Sequence, residues 1–256
     1  MLCTFIDFRK AFDTVWRLGL WKKLADSNIT DKILRVIYNM YGSIKLCVKK
    51  GEDISGFFSC EIGVRQGENL SPFLFSIFLS DLESFFLENN ITGLQSISEK
   101  TFENVEVYLF LFILMYADDT IILAESALDL QNCLNVSEEY CNLWKLTVNV
   151  DKTKVVIFSK RKYNGDQNFK LYDFNVEKVD MYSYLGLLFR YNGKFTEAKK
   201  KLTEQGQKAL FALNKKIRNF PIPFDLQLKL FDALVEPILL YGSEIWGFEN
   251  INIIER

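Results

Sequence analysis

Two adjacent aspartates, Asp118 and Asp119, separate two largely apolar stretches over 105–117 and 120–124. Apolar segments joined by a short polar tip predict a buried β-hairpin with a charged turn. Like charges repel, and apolar strands around them lower the local dielectric and strengthen that repulsion. Mg²⁺ would relieve it, because this cation prefers hard carboxylate oxygens. For the pair alone, an acidic β-turn is the simpler interpretation, since aspartate is common in turns.

The absence of histidine excludes several chemistries. Without histidine there is no Ser-His-Asp or Cys-His nucleophilic site, no imidazole acid–base catalysis and no His-ligated metal. The five cysteines contain no C-x-x-C pair, so neither a disulfide framework nor a zinc site is expected. This favours a reducing intracellular location, in the nucleus or the cytoplasm. Catalysis is left to carboxylates, lysines and a hard metal.

No segment of the sequence predicts a signal peptide or a membrane span. A charge at Asp7 interrupts the N-terminal apolar segment before a signal-type region develops. The longest apolar run covers 107–117, whereas a membrane-spanning helix needs roughly 20 residues. We therefore expect no membrane partner.

Strand and helix signals alternate along the chain and predict an α+β fold. Strands are expected over 2–6, 146–150, 155–159 and 182–189, and helices from Ser71-Pro72 onward and over 127–144. From Lys194 the sequence predicts long helices, and basic residues strongly outnumber acidic ones between 190 and 218. We therefore place a domain boundary near residue 189, which divides the chain into 1–189 and 190–256.

Four blocks of residues carry more information by their order than any one of them carries alone. They are Phe5-Ile-Asp7-Phe-Arg-Lys-Ala-Phe12-Asp13, Arg65-Gln-Gly-Glu-Asn-Leu-Ser-Pro72, Tyr116-Ala-Asp-Asp119 and Asn149-Val-Asp-Lys152-Thr-Lys154. In this order the chain resembles the reverse transcriptases, or RNA-directed DNA polymerases, of non-LTR (LINE-type) retrotransposons. The resemblance runs from residue 2 to about residue 247.

This resemblance implies a fold and an activity. The fold is a polymerase palm over 1–189, an antiparallel sheet with helices on one face, followed by a helical thumb over 190–256. The activity is DNA synthesis from dNTP on a DNA primer and an RNA template. Asp7, Asp118 and Asp119 match the catalytic, metal-binding aspartates, which would hold two Mg²⁺ ions, or Mn²⁺ in their place. One ion activates the primer 3′-hydroxyl and the other steadies the leaving pyrophosphate.

The same resemblance implies nucleotide contacts for Phe12, Gln66, Gly67 and Lys152. Phe12 matches the residue beneath the incoming sugar, where a flat ring would collide with a 2′-hydroxyl; the alternative is a core phenylalanine. Gln66 would hydrogen-bond near the nucleotide or template and Gly67 would let backbone approach it, although by themselves they indicate only a turn. Lys152 would neutralise the leaving pyrophosphate. Lys154 competes for that role, and a solvated surface lysine is the alternative for either.

Two later features match nucleic-acid contacts. Tyr184, Leu185 and Gly186 match the hairpin that grips the primer strand. Beyond them a helix is expected to pack an apolar face on the core and to turn lysines toward phosphates, with a merely solvated face as the alternative. The lysines are Lys194, Lys201, Lys208 and Lys215, and the apolar residues are Leu202, Leu210, Leu213, Ile217 and Phe220. The stretch over 230–247 is also similar to the family and has no predicted chemistry; Pro237 is expected to kink or break its helix.

Three functions remain open at this point. The first is the reverse transcriptase itself, although nothing before Asp7 matches a fingers segment and no endonuclease or Cys/His-rich tail is present. We expect a longer parent protein to supply these regions and the isolated chain to polymerise poorly. The second is a truncated or co-opted fragment that binds nucleic acid without catalysis. The third is another metal-dependent nucleotidyl transferase or cyclase, which would explain the aspartates but not Gln66-Gly67 or the lysine-rich helix.

Overall fold

The computed structural model of the chain describes residues 1–91, 93–102, 105–111, 113–116, 118–163, 165–218, 220 and 222–247. Ala117 of the Tyr-Ala-Asp-Asp block and residues 248–256 of the predicted thumb lie outside the described residues. The described chain forms two compact units. The first is Met1–Val155 with Gly165–Lys178, and the second is Val156–Asn164 with Val179–Arg256.

The helices and strands confirm the predicted α+β fold. The strands are β1 (Leu2–Ile6), β2 (Lys45–Leu46), β3 (Lys49–Lys50), β4 (Asp53–Ile54), β5 (Phe58–Ser59), β6 (Leu94–Phe102), β7 (Val105–Leu111), β8 (Ile113–Tyr116), β9 (Asp119–Ala124), β10 (Lys154–Ile157), β11 (Phe169–Leu171), β12 (Phe174–Lys178), β13 (Met181–Tyr184) and β14 (Leu187–Arg190). The helices are α1 (Ala11–Thr14), α2 (Arg17–Asp26), α3 (Asp31–Gly42), α4 (Leu70–Phe78), α5 (Leu82–Glu88), α6 (Ala127–Trp144), α7 (Thr196–Ile217), α8 (Phe224–Leu234), α9 (Glu236–Leu239) and α10 (Ser243–Trp246).

The main sheet has the strand order β11-β12-β10-β1-β9-β8. All five residues of β1 are buried, because this apolar strand lies between β10 and β9 in the middle of the sheet. β1 and β8 each pair antiparallel with β9, as predicted. The sheet is nevertheless mixed, since β10 runs parallel to β12. A parallel neighbour requires a crossover connection, and the strand pattern of the sequence does not reveal which strand will take that place.

Helix α6 covers part of this sheet and has the predicted bounds. Ser126 and Asp129 form a capping box at its start, and Lys145 ends it in the left-handed conformation, with a φ of 57°. Its buried residues, which include Leu130 and Leu134, lie on the side that packs against β1, β9 and β11. Local capping signals and an apolar stripe therefore determined this helix.

Several sequence-based predictions of elements are wrong in detail. The predicted hairpin strand over 105–117 is two strands, since β7 pairs with β6 and only β8 pairs with β9. β8 is not buried as predicted: Leu114, Met115 and Tyr116 are exposed at the edge of the main sheet. The predicted strand over 146–150 makes only an isolated bridge between Val148 and Phe8. The predicted strand over 182–189 is two strands, β13 and β14, paired as a hairpin. An apolar run shows that a segment is strand-like, whereas its partners decide how much of it pairs.

One stretch of helix in the described chain, Leu70–Glu88, has the length and the mean hydropathy (1.4) of a membrane span. The structure divides it into α4 and α5 and buries Leu74, Phe75, Phe78 and Phe86 completely. We therefore interpret these helices as part of the protein core.

This core contains a buried lysine that the sequence did not predict. Lys23 on α2 is 5% exposed, and its Nζ lies 2.5 Å from Asp81 Oδ1 and 2.8 Å from Tyr140 Oη. Nζ also contacts the Phe78 carbonyl and lies 3.6 Å from the ring centre of Trp144. Burial lowers the pKa of Lys23 from 10.5 to about 8 and raises the pKa of Tyr140. The charged ammonium is thus held in the core by one carboxylate and by aromatic rings.

The second unit packs the β13–β14 hairpin against α7. Its buried cluster consists of Leu187, Ala198, Leu202 and Trp246. Contacts within the chain place this hairpin in the same unit as the later helices, so the division between the units falls before β13. The predicted domain boundary near residue 189 stays a prediction. Pro237 lies in the first turn of α9 and separates it from α8, which is the predicted break.

The lysine-rich helix differs from its prediction at both ends. α7 begins at Thr196, so Lys194 precedes it in a turn, where its N–H donates to Asn192 Oδ1. α7 ends at Ile217, and Phe220 beyond it is exposed. The other predicted lysines are exposed as expected, while of the predicted apolar face only Leu202 and Leu213 are fully buried. The helical wheel predicted more of the apolar face than is buried, because Leu210 and Ile217 stay accessible within α7 and Phe220 lies beyond its end.

Candidate active site

The three predicted aspartates of the first unit come together at one end of its sheet. β1 and β9 pair with Ile6 opposite Thr120, so the next position along each antiparallel strand places Asp7 beside Asp119. Asp118 lies in the turn between β8 and β9, directly before Asp119. Strand register therefore joins two acidic blocks that are far apart in the sequence.

These carboxylates affect one another electrostatically. Burial raises the pKa of Asp119, and the negative charges of Asp118 and Asp7 raise that pKa further. Among the described residues, no three side chains of Asp, Glu or Cys are grouped closely enough to hold a metal ion. The three aspartates thus lie at the same end of the sheet, but their side chains are not close enough together to form a complete set of metal ligands. Their hard oxygens and mutual repulsion fit a divalent cation.

The turn over 149–153 holds Asp7 in place. The Asp7 carbonyl accepts from the Asn149 N–H at 2.7 Å, and the Asp7 N–H donates to Thr153 Oγ1 at 3.3 Å. Thr153 is completely buried. The same turn brings Lys152 Nζ to 3.9 Å from Asp7 Oδ2. The fourth sequence block therefore supports the first through the backbone N–H of Asn149 and the side-chain hydroxyl of Thr153.

The two candidate lysines of this turn have different surroundings. Lys152 remains 70% exposed beside Asp7. Lys154 is 19% exposed, and its Nζ pairs with Glu177 Oε2 at 2.7 Å and contacts the Asp151 carbonyl. A lysine already paired with a carboxylate is less free to meet a phosphate. The structure thus places Lys152, rather than Lys154, next to the aspartates.

Phe12 lies half-buried in the helical turn that follows Asp7. The centre of its ring is 5.2 Å from the ring centre of Phe75, which is completely buried on α4. The Phe12 carbonyl accepts from the Val64 N–H at 2.7 Å. This position is compatible with a core phenylalanine, because the ring packs against Phe75. It is equally compatible with a nucleotide contact, because part of the ring stays accessible.

Gln66 and Gly67 follow Val64 in the loop that precedes α4. Gln66 Nε2 donates to Asp13 Oδ1 at 2.9 Å, so Asp13, a member of the first sequence block, orients the glutamine side chain. Gly67 has a φ of +86°, and no described atom lies within 4 Å of the place where a Cβ would stand. Gly67 therefore serves a left-handed turn and borders open space.

Arg17 is a structural residue of this site that the sequence analysis missed. It is 8% exposed and donates to the carbonyls of Gly63 (2.8 Å), Ile62 (3.1 Å), Cys60 (2.5 Å) and Tyr41 (3.3 Å). One guanidinium thus satisfies the carbonyls of the segment that leads into Gln66. No local signal in the sequence marks Arg17, because α2 contains two further basic residues, Lys22 and Lys23, and the carbonyl partners of Arg17 lie in later segments.

The predicted primer-grip residues form the turn of a hairpin in the second unit. Tyr184 pairs with Leu187 across the hairpin, and Leu185 and Gly186 form the two-residue turn. Both turn residues are left-handed, with φ values of 46° and 80°. This arrangement exposes the turn backbone at the end of the hairpin.

A comparison with protein families decides what kind of chain this is. Residues 1–189 match the family described as "Reverse transcriptase (RNA-dependent DNA polymerase)". The chain belongs to the reverse transcriptase family. The resemblance inferred from four sequence blocks is thereby confirmed.

Curated relatives of this reverse transcriptase come from mobile elements. The chain is 28% identical over 254 residues to the RNA-directed DNA polymerase from mobile element jockey of Drosophila funebris, covering 95% of this chain and 25% of the relative. It is 26% identical over 275 residues to the probable RNA-directed DNA polymerase from transposon BS of Drosophila melanogaster, covering 98% of this chain and 27% of the relative. The chain thus spans about a quarter of the length of these relatives.

A solved structure has a similar fold. Telomerase from Candida tropicalis, in complex with the TWJ fragment of telomeric RNA, superimposes with a TM-score of 0.51 at 15% identity, covering 95% of this chain and 38% of that chain. This similarity concerns the fold, and it supports the α+β polymerase architecture predicted for the reverse transcriptase.

Proposed function

We propose that this chain carries the polymerising site of a non-LTR retrotransposon reverse transcriptase, which adds dNTP to a primer 3′-hydroxyl on an RNA template. The observation that carries the proposal is the meeting of Asp7, Asp118 and Asp119 at one end of the sheet, with a raised pKa at Asp119. The names of the curated relatives, which are RNA-directed DNA polymerases, support the choice of template and product.

In this proposal Asp7, Asp118 and Asp119 hold two Mg²⁺ ions, or Mn²⁺ in their place. When bound, these cations would supply charge neutralisation and activation of the primer hydroxyl. Lys152 contributes positive charge beside Asp7, where the leaving pyrophosphate needs it. Arg9 and Lys10 are exposed between β1 and α1 and add further positive charge for the triphosphate. The protein residues thus orient the reactants and stabilise charge without a covalent intermediate.

Phe12, Gln66 and Gly67 form the nucleotide side of the proposed site. Phe75 supports the Phe12 ring from below, so that the ring can exclude a 2′-hydroxyl without moving away. Asp13 orients the Gln66 amide, and Arg17 fixes the segment that leads to it. A preorganised pocket of this kind discriminates better than a mobile one, because misplacement by about 1 Å can cost roughly 100-fold in rate.

Nucleic-acid contacts are assigned to the second unit. Tyr184, Leu185 and Gly186 present backbone to the primer strand, and the exposed lysines present charge to phosphates. The lysines on α7 are Lys201, Lys208 and Lys215, and Lys194 joins them from the preceding turn. Their exposure makes them available to a nucleic-acid backbone.

Metal binding and primer extension test the proposal together. Asp118→Asn and Asp119→Asn should lose Mn²⁺ binding, measured by electron paramagnetic resonance. They should also lower the rate of primer extension by about 100-fold or more, since several kcal/mol of charge stabilisation disappear and each 1.36 kcal/mol is tenfold. Asp26→Asn, an exposed aspartate at the end of α2, is the matched control. Normal Mn²⁺ binding and extension by Asp118→Asn would contradict the assignment.

A second candidate function is nucleic-acid binding without polymerisation. The observation in its favour is that the aspartates, as they stand in the described chain, do not form a closed ligand set. In that case the protein should bind an RNA–DNA hybrid with a strong salt dependence, yet bind no Mn²⁺ and extend no primer. The same two assays therefore separate the candidates.

A further inference from the structure

Tyr241 lies in the stretch over 230–247, for which the sequence predicts no chemistry. In the structure its hydroxyl donates to the Leu185 carbonyl at 2.6 Å. Its ring packs against Gly186, where an added Cβ would lie 3.2 Å from the Tyr241 ring. A single side chain from the turn between α9 and α10 thus touches both residues of the hairpin turn.

The turn itself is unfavourable for its sequence. A two-residue hairpin turn with positive φ at both positions strongly favours Asn-Gly or Gly-Gly. Leu185 adopts a φ of 46°, and the left-handed region costs a leucine free energy because its Cβ crowds the backbone. The Leu-Gly turn therefore needs support from elsewhere to keep one conformation.

Tyr241 is well anchored to give that support. Its own carbonyl accepts from Trp246 Nε1 at 2.8 Å. Trp246 is 2% exposed and belongs to the buried cluster that also contains Leu187, the residue directly after the turn. The tyrosine therefore links the turn to the core of the second unit.

We propose that Tyr241 is a positioning residue that holds the Leu185–Gly186 turn in the left-handed conformation in which it meets the primer strand. The proposal rests on the function proposed above, because the turn matters for primer only if the chain binds one. Tyr241 itself acts on the turn through its hydroxyl and its ring. Its removal would leave the turn free to relax toward conformations that leucine prefers.

The test compares Tyr241→Phe, which keeps the ring and loses the hydroxyl, with Tyr163→Phe, an exposed tyrosine of the same unit. The first measurement is amide hydrogen exchange over residues 184–187 in the 256-residue chain. The second is the Kd for a fluorescein-labelled DNA primer annealed to RNA with a recessed 3′ end. Tyr241→Phe should raise the amide exchange rate and the Kd by about fivefold each, which is the factor that corresponds to the loss of one net hydrogen bond. Tyr163→Phe should change neither.

Rescue separates positioning from general stability. In a Leu185→Gly background glycine favours the left-handed turn without support, so Tyr241→Phe should change the Kd by less than twofold, even though the hydrogen bond to the backbone carbonyl is still lost. Unchanged exchange in Tyr241→Phe overturns the proposal, as does faster exchange with an unchanged Kd. Failure of the proposed function looks different: the unmodified chain then shows no preference for the recessed 3′ end over a blunt hybrid of the same sequence.

Discussion

Replacement of Lys23 by methionine should remove one specific component of the pH dependence of stability. Methionine is similar in length and can pack against the rings of Phe78, Tyr140 and Trp144 that surround the ammonium. Asp81 keeps its bond from Tyr140 Oη at 2.5 Å, and its side chain is 43% exposed, so it does not become an isolated buried charge. We therefore expect Lys23→Met to fold.

The magnitude follows from the pKa of Lys23. Burial lowers it from 10.5 to about 8, so between these values the unfolded chain binds more protons than the folded one. The free energy of unfolding then rises with pH in this window, and below pH 8 the contribution is flat. Between pH 7 and pH 9.5 the free energy of unfolding of the wild-type chain should therefore rise by about 2 kcal/mol relative to that of Lys23→Met.

The comparison must be a difference between variants, because other groups act in the opposite direction. Burial raises the pKa of Cys3 and of Cys141 to about 12, so these thiols lower the stability of the fold as pH rises above 9. They act equally in both chains and cancel in the difference. Urea unfolding at pH 7, 8, 9 and 9.5 gives the difference directly, and Lys22→Met, exposed on the same helix, is the control. A wild-type-minus-variant difference that stays constant from pH 7 to 9.5 would refute the reasoning.

Two single substitutions at the candidate site and one triple substitution on α7 give three further predictions. Gly63→Ala should destabilise the chain by about 1–3 kcal/mol in urea unfolding, because φ is +79° there and the new Cβ would lie 2.5 Å from the Asp13 carbonyl oxygen; a change below about 0.5 kcal/mol, the size of an ordinary surface substitution, would contradict this. Phe12→Val should raise the ratio of ribonucleotide to deoxynucleotide kcat/KM, and an unchanged ratio would leave Phe12 as a packing residue for Phe75. Neutralising three lysines together should reduce the salt dependence of hybrid binding by a little under one ion for each, without changing sequence preference; an unaffected salt slope would assign them to solvent. These lysines are Lys201, Lys208 and Lys215.

The candidate site shows how far local sequence reasoning reaches. The residue types and their order predicted the reverse transcriptase family, and the family match confirmed it. The apolar strand before Asp7 and the helix over 127–144 were correctly predicted, because both depend on residues that are close together along the chain. The roles of Asp7, Phe12 and Lys152 stay predictions until the assays above are done.

Other features depend on contacts between distant segments. The parallel pairing of β10 with β12 and the exposed edge at β8 follow from which strands become neighbours. Arg17 gives no local signal of its role, because its four carbonyl partners lie in later segments. The support of the Leu185 turn by Tyr241 likewise joins two parts of the second unit that periodicity does not connect.

The sequence by itself determined which chemical groups are available: three aspartates in two separate blocks, no histidine, and an excess of basic residues over 190–218. Only the tertiary structure decided which of these groups meet. Strand register placed Asp7 beside Asp119, and a buried threonine and a single turn brought Lys152 rather than Lys154 toward them. The physical reason is that propensity and periodicity act over a few residues, whereas register and burial are fixed by packing across the whole core.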